Sequence, residues 1–200
     1  MSERLTTTLL LPALNEIEAL RVIVPQIQRD WVDEIIVIDG GSTDSTLEYV
    51  RACGLAVHSQ SHRRYGRSML QDLQMAKGDI VVECTLDGNS LPHDIPRIMD
   101  KVKEGYDLVI GSRYTDVLVG FRAFRRKEAL RLGFDTPGLS WSCQSSIRFA
   151  RGSLRVTEIP ACEPPRIGSA RKMKPFKTGW EITKLILRDF VAFWPNQRVK

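Results

Sequence analysis

Five short apolar runs, the first four each followed by a helical pattern, leave this chain few architectures. The runs are Leu5 to Leu11, Glu34 to Ile38, Leu55 to His58, Asp79 to Cys84 and Tyr106 to Ile110. Between them, helical patterns are predicted to about Gln28, to about Cys53, over Gly66 to Ala76 and over Pro92 to Lys103. Ile35 to Ile38 and Ile80 to Val82 carry no polar break, as strands buried on both faces require. A strand–helix alternation of this kind builds an α/β fold, a doubly wound, mostly parallel sheet. Ligands of such sheets sit beyond the carboxyl ends of the strands. Asn15, Asp39 and Asp87 each follow a strand at that end.

The central stretch runs Val81-Val82-Glu83-Cys84-Thr85-Leu86-Asp87-Gly88-Asn89-Ser90. It reads as a buried strand that stops on an acidic turn. Asp87 and Asn89 offer two hard oxygen donors, which suits Mg²⁺ or Mn²⁺ completed by water and phosphate oxygens. The same three residues, Asp-Gly-Asn, also make an ordinary turn. Earlier, Pro12-Ala13-Leu14-Asn15-Glu16 ends the first strand, and Asn15 or its neighbour is placed to cap the helix that follows. Asp39-Gly40-Gly41-Ser42-Thr43-Asp44-Ser45-Thr46 is a glycine turn that leads into an N-capped helix.

The second half is less regular. A strand is expected within Val119 to Arg125 and another over Leu154 to Ile159, with helices near Arg126 to Leu132, Ser140 to Ala150 and Thr178 to Trp194. On the last helix Lys177, Glu181, Lys184 and Arg188 share one face, while Ile182, Ile186, Phe190 and Phe193 lie on another. Trp180, Phe190, Phe193 and Trp194 also suit a helix docked on its own domain.

Two hundred residues, 42% of them hydrophobic, fit one domain with a real core. Within it three segments are expected, residues 1–112, 113–175 and an amphipathic tail at 176–200. No run of 18 apolar residues occurs, and Met-Ser-Glu-Arg-Leu-Thr has no leader pattern. The four cysteines, 53, 84, 143 and 162, are scattered and read as reduced thiols of a cytoplasmic protein. Residues 166–200 hold nine Lys or Arg against Glu181 and Asp189, a net +7, so with +5 overall the first 165 residues carry −2. That asymmetry points to an anionic surface or ligand near the C-terminus. No aromatic stacking motif or recognition helix speaks for nucleic acid.

Five motifs in order resemble those of family 2 glycosyltransferases with the GT-A fold. They are Leu11 to Glu16, Val37 to Thr46, Leu86-Asp87-Gly88-Asn89, Ile110-Gly111-Ser112-Arg113-Tyr114 and Gly120-Phe121-Arg122. Within that family the chain is most similar to the dolichyl- and polyprenyl-phosphate mannosyl- and glucosyltransferases.

The resemblance implies a metal-dependent, inverting transfer from a UDP- or GDP-linked sugar to a polyprenyl phosphate or other lipid or sugar acceptor, by a protein peripheral on the inner membrane face. Pro12, Ala13, Asn15, Glu16 and Gly88 line the nucleotide pocket on this basis. Asp39 bonds the base or ribose, Gly40 and Gly41 admit the nucleotide closely, and Arg67 sits near the diphosphate. Asp87 and Asn89 hold the metal, with Asn89 replacing the family's second Asp and Leu91 standing where many relatives have Gln. Arg113 and Arg122 hold acceptor phosphate or sugar, and Asp87, Asp116 and Arg122 are the catalytic set. Arg166, Arg171 and Lys172 form a basic loop over the diphosphate. Relatives usually carry a Glu in the helix that here reads Trp141-Ser142-Cys143-Gln144; a phosphate acceptor, already anionic, needs no strong base.

Only Thr115 to Val119 separate Tyr114 from Gly120, where relatives have a long acceptor loop and a helix. The pattern predicts residues skipped between Tyr114 and Thr115. Two other classes share parts of the pattern: a nucleotide-sugar-binding protein without turnover, and a nucleotidyltransferase, whose usual glycine- and lysine-rich first loop is absent at Leu11 to Glu16.

Overall fold

The computed structural model describes residues 4–59, 65–86, 90–112, 120–136, 140–161, 164–168 and 175–193. Seven strands form one sheet: β1 (Thr7–Ala13), β2 (Glu34–Asp39), β3 (Ala56–Ser59), β4 (Ile80–Glu83), β5 (Leu108–Ser112), β6 (Arg122–Arg125) and β7 (Val156–Pro160). Among the described residues seven α-helices accompany them: α1 (Ile17–Ile23), α2 (Thr46–Ala52), α3 (Tyr65–Met75), α4 (Ile95–Lys103), α5 (Arg126–Leu132), α6 (Trp141–Arg151) and α7 (Pro175–Phe193).

The strand order is β3-β2-β1-β4-β6-β5-β7. Four of the six pairings are parallel, so the sheet is mostly parallel as expected. The exception is β6, which enters antiparallel between β4 and β5. The alternation alone suggested five successive parallel strands; instead β5 lands one place further out and β6 fills the gap. The reason is the connection. Gly111 N–H donates to the Phe121 carbonyl at 3.0 Å, so the strand ends joined by residues 113–119 already lie side by side. A connection that short between adjacent strands permits only an antiparallel turn-back. The segment expected to skip residues, 114 to 115, lies outside the described residues.

Period-two alternation divides the apolar residues between two cores. Leu9, Leu11, Val37 and Val82 face one side, under α1, α2 and α4. Leu10, Ile36, Ile38, Val81 and Phe124 face the other, under α3, α5 and α6. Helices on both faces push every loop that can bind a ligand to the sheet edge. The carboxyl ends of β2, β1 and β4 meet there side by side, with Ala13 paired to Asp39 and Leu10 to Glu83.

Candidate active site

At this edge two loops are stitched together by their own polar side chains. Gly40 N–H donates to the Ala13 carbonyl at 2.9 Å. The buried Asp39 carboxylate folds back on its loop and accepts the Gly41 N–H at 3.0 Å and the Ser42 N–H at 3.1 Å. That turn needs the left-handed φ of +94° at Gly41, which a side chain would disfavour. Asn15 is likewise left-handed, φ 52°, a conformation that Asn tolerates better than most residues. Its N–H donates to Ser42 Oγ at 2.9 Å, and its Oδ1 accepts the Thr43 N–H at 2.7 Å.

Of the two expected helix caps, α1 starts on Glu16, the neighbour of Asn15, and neither N-cap residue makes a side-chain bond. Asn15 does not cap α1: Glu16 occupies the N-cap without a side-chain bond, and the Ile17 N–H goes to Asp44 Oδ2 at 3.4 Å. Ser45 likewise gives α2 no side-chain cap; Asp44 Oδ1 accepts the Thr46 N–H at 3.0 Å. The buried Glu16 N–H donates to Thr46 Oγ1 at 3.1 Å. Short polar side chains that would cap helices locally instead bridge the two loops, because parallel strands hold the loops within reach. Burial alone pushes the Asp44 carboxyl up, but hydrogen bonds from Thr46 and Ile17 outweigh it and hold it below its usual value.

Beside this rim lies a cavity of about 460 Å³ lined by Asn15, Glu16, Ile17, Glu18, Ala19, Asp44, Ile167 and Gly168. Arg166 closes one side, donating to Glu16 Oε1. The Glu16–Arg166 contact had no local sequence signal, since the two residues lie 150 positions apart.

The second part of the chain is fastened to the sheet from within. Arg122, the first residue of β6, is fully buried. Its guanidinium donates to the Ser142 carbonyl at 2.9 Å and to Ser145 Oγ at 2.6 Å, and its Nε lies 3.9 Å from Glu83 Oε2. The Trp141 ring packs against it at 5.5 Å. Arg122, expected to hold acceptor phosphate or sugar, is thus buried among the described residues, where it ties α6 to the sheet. Gln144, in the helix where a Glu was expected, is also buried and occupied. Its Oε1 accepts the N–H of Asp135 at 3.0 Å and the hydroxyl of Thr136 at 2.7 Å.

Thus the structure brings Pro12, Ala13, Asn15, Glu16, Asp39, Gly41 and Arg166 to one edge. Arg67 lies on α3, with its side chain outside the description. Asp87, Gly88, Asn89, Arg113, Asp116, Arg171 and Lys172 lie outside the described residues. Among the described residues no group of three or more His, Cys, Asp or Glu is arranged to hold a metal. Cys53 and Cys143 are free thiols, and burial pushes the Cys143 thiol up.

The profile described as Glycosyl transferase family 2 matches residues 8–162. The chain belongs to that family. This glycosyltransferase has the GT-A fold, and its motifs fall within the matched span. It is 25% identical over 204 residues to glycosyltransferase AglJ of Haloferax volcanii, covering 86% of this chain and 67% of that one. It is 26% identical to the polyprenol monophosphomannose synthase of Mycolicibacterium smegmatis, covering 77% and 76%. Among solved structures, glucosyl-3-phosphoglycerate synthase of Mycobacterium tuberculosis, in complex with Mn²⁺ and UDP-glucose, superposes with a TM-score of 0.68 at 25% identity, covering 91% of this chain and 77% of that one.

Proposed function

We propose that this family 2 glycosyltransferase moves a hexose from a nucleoside-diphosphate sugar to a polyprenyl phosphate, with inversion and with a divalent metal. The carrying observation is the side-by-side arrangement of the β2, β1 and β4 ends, which puts a polar rim beside Glu83, the end of the strand that precedes Asp87 in sequence. Relatives named for polyprenol and undecaprenyl phosphate support the acceptor.

Each residue then has a task. The stitched loops of Asn15 and Asp39 form the nucleotide rim. Two N–H donors fill only part of the roughly four lone-pair sites of a carboxylate, so Asp39 can also accept from a base N–H or a ribose hydroxyl. Gly41 adds no side-chain bulk to the rim. Arg166, paired with Glu16 in the free protein, is placed to exchange that carboxylate for the donor diphosphate. Arg guanidinium suits both partners through the same two-pronged contact. The donor set at 87–89, a carboxylate and an amide oxygen, fits a hard cation that takes most of its ligands from phosphate and water. When bound, Mg²⁺ or Mn²⁺ supplies charge neutralisation of the nucleoside diphosphate leaving group. Arg113, Asp116, Arg171 and Lys172 remain candidates for acceptor and phosphate contacts, and Arg67 for the diphosphate.

Gln144 favours a phosphate acceptor over a hydroxyl acceptor. Its amide is locked between Asp135 and Thr136 and has no basic carboxylate to offer. An anionic phosphate oxygen attacks without deprotonation; a sugar hydroxyl does not. The test is nucleoside diphosphate release from UDP- and GDP-sugars with Mn²⁺, with a short-chain polyprenyl phosphate or with 3-phosphoglycerate as acceptor. Release that depends on the lipid phosphate is expected. Turnover with phosphoglycerate alone would overturn the acceptor assignment.

A further inference from the structure

The C-terminal helix α7 carries an apolar stripe that its own domain does not cover. Four large side chains stand out: Phe176 is 97% exposed, Trp180 62%, Leu187 59% and Val191 66%, while Ile186, 46% exposed, lies off to one flank. Their spacing of four, seven and four keeps them on one side at 3.6 residues per turn. The stripe runs about 22 Å at 1.5 Å per residue. Lys177 and Lys184 flank it along one border, with Glu181 between them and Arg188 beyond, turned to Asp135 and Asp189. Lys184 Nζ sits 5.1 Å from the centre of the Trp180 ring.

The opposite side of α7 is docked. Thr178, Leu185 and Asp189 are buried. Asp189 accepts from Arg148 of α6 at 3.5 Å and from Arg188 at 2.9 Å, and Arg188 also reaches Asp135 at 2.9 Å. Turning the apolar stripe inward would separate the buried Asp189 from Arg148, which is costly for a carboxylate out of water. The buried carboxylate therefore fixes which face α7 presents.

We infer that this face is a docking surface for an anionic lipid bilayer, on which α7 lies flat. Apolar side chains bordered by cations match the boundary between acyl chains and acidic headgroups. A second copy of the same face would bring the same cations together, whereas an acidic bilayer neutralises them. Among the described residues no helix is long and apolar enough to cross a membrane. Lying along the surface is the arrangement left to this helix. The α7 start is also seven residues from Gly168, which borders the cavity at Glu16 and Glu18. A bilayer against α7 thus lies close along the chain to the rim where the lipid phosphate is to react.

Lipid binding is read without turnover, so its outcome is separable from that of the proposed transferase activity. The full chain is sedimented with vesicles of phosphatidylcholine alone and with vesicles containing about a third phosphatidylglycerol. Binding is expected to the second, falling with added salt. Trp180→Glu with Leu187→Glu replaces two exposed side chains and is expected to weaken binding about tenfold or more. Lys177→Gln with Lys184→Gln is expected to remove the preference for acidic vesicles by about tenfold. Melting temperature and nucleotide-sugar binding of both variants are expected to match the parent, which separates docking from misfolding. Equal sedimentation of parent and variants would overturn the inference. So would a dimer of the parent in solution that Trp180→Glu dissolves, since the stripe would then serve a second copy.

Discussion

The Arg122 Nε and the Glu83 Oε2 lie 3.9 Å apart, and neither side chain reaches solvent. Glu83 is the last residue of β4, four before Asp87, while Arg122 opens β6 and holds α6 through Ser142 and Ser145. One buried pair therefore joins β4, the strand that precedes Asp87 in sequence, to β6 and through it to α6. Removing one partner strands the other charge. Glu83→Gln is expected to lower stability by about 3 kcal/mol. The measurement is urea unfolding, with a lower midpoint at unchanged slope. An unmoved midpoint would show that the pair adds nothing to stability.

Gly41 tests the rim by backbone strain alone. A Cβ there would meet nothing within 4 Å, so bulk is not at issue, but φ is +94°. Gly41→Ala is expected to cost about 1–2 kcal/mol. Gly41→Asn should fall between alanine and the parent, because Asn tolerates left-handed backbone better. Thermal melting of the three proteins gives the order; equal melting would remove the strain.

Asp44 makes stability depend on acid. Burial pushes its carboxyl up, but the Thr46 and Ile17 hydrogen bonds outweigh it, so its folded value lies below its unfolded one. An unfolded Asp titrates near about 3.9. The unfolded chain therefore takes up this proton first. The stabilisation is present above that value and is lost as pH falls through the folded one. Asp44→Asn is expected to narrow the gap in stability between neutral pH and about pH 3. An identical acid limb in parent and variant would show that Asp44 plays no part.

Asp87 separates turnover from folding. Asp87→Ala is expected to reduce metal-dependent transfer by about a hundredfold or more, the scale seen when one group stabilising transition-state charge is lost. Its stability is expected to stay within about 0.5 kcal/mol of the parent, the usual range for a polar residue that follows a strand rather than lying in it. Chelation of the parent should abolish transfer, and Mn²⁺ should restore it. Full turnover by the variant at saturating donor would exclude the metal mechanism.

Local signals carried most of the elements. Leu9 to Leu11, Ile35 to Ile38 and Ile80 to Val82 are runs that only a buried strand accommodates, and each lies within the strand observed. The Asp, Asn, Ser and Thr residues after β1 and β2 marked a polar rim before any coordinates. What they bind was not legible, because Asn15 to Thr43 and Asp44 to Ile17 are contacts across two strands rather than along one helix.

Arg122 shows the limit most clearly. In sequence it is a basic residue in a Gly-Phe-Arg motif, and charge alone suggests a phosphate. Its burial follows from Glu83 and from two serines of α6, none of them near it in sequence. The place of β6 between β4 and β5 has the same origin, since pairing partners are chosen by which edge is open when the chain returns. On α7, periodicity put Ile182, Ile186, Phe190 and Phe193 on one face; the helix is oriented by Asp189 against Arg148 and exposes Phe176, Trp180, Leu187 and Val191 on another, with Ile186 exposed as well. The sequence by itself determined the strands, the turns and the family, because backbone preference and side-chain alternation act over a few residues. Only the tertiary structure decided which charges are enclosed and which apolar face meets solvent, because burial depends on partners that the fold brings in from distant parts of the chain.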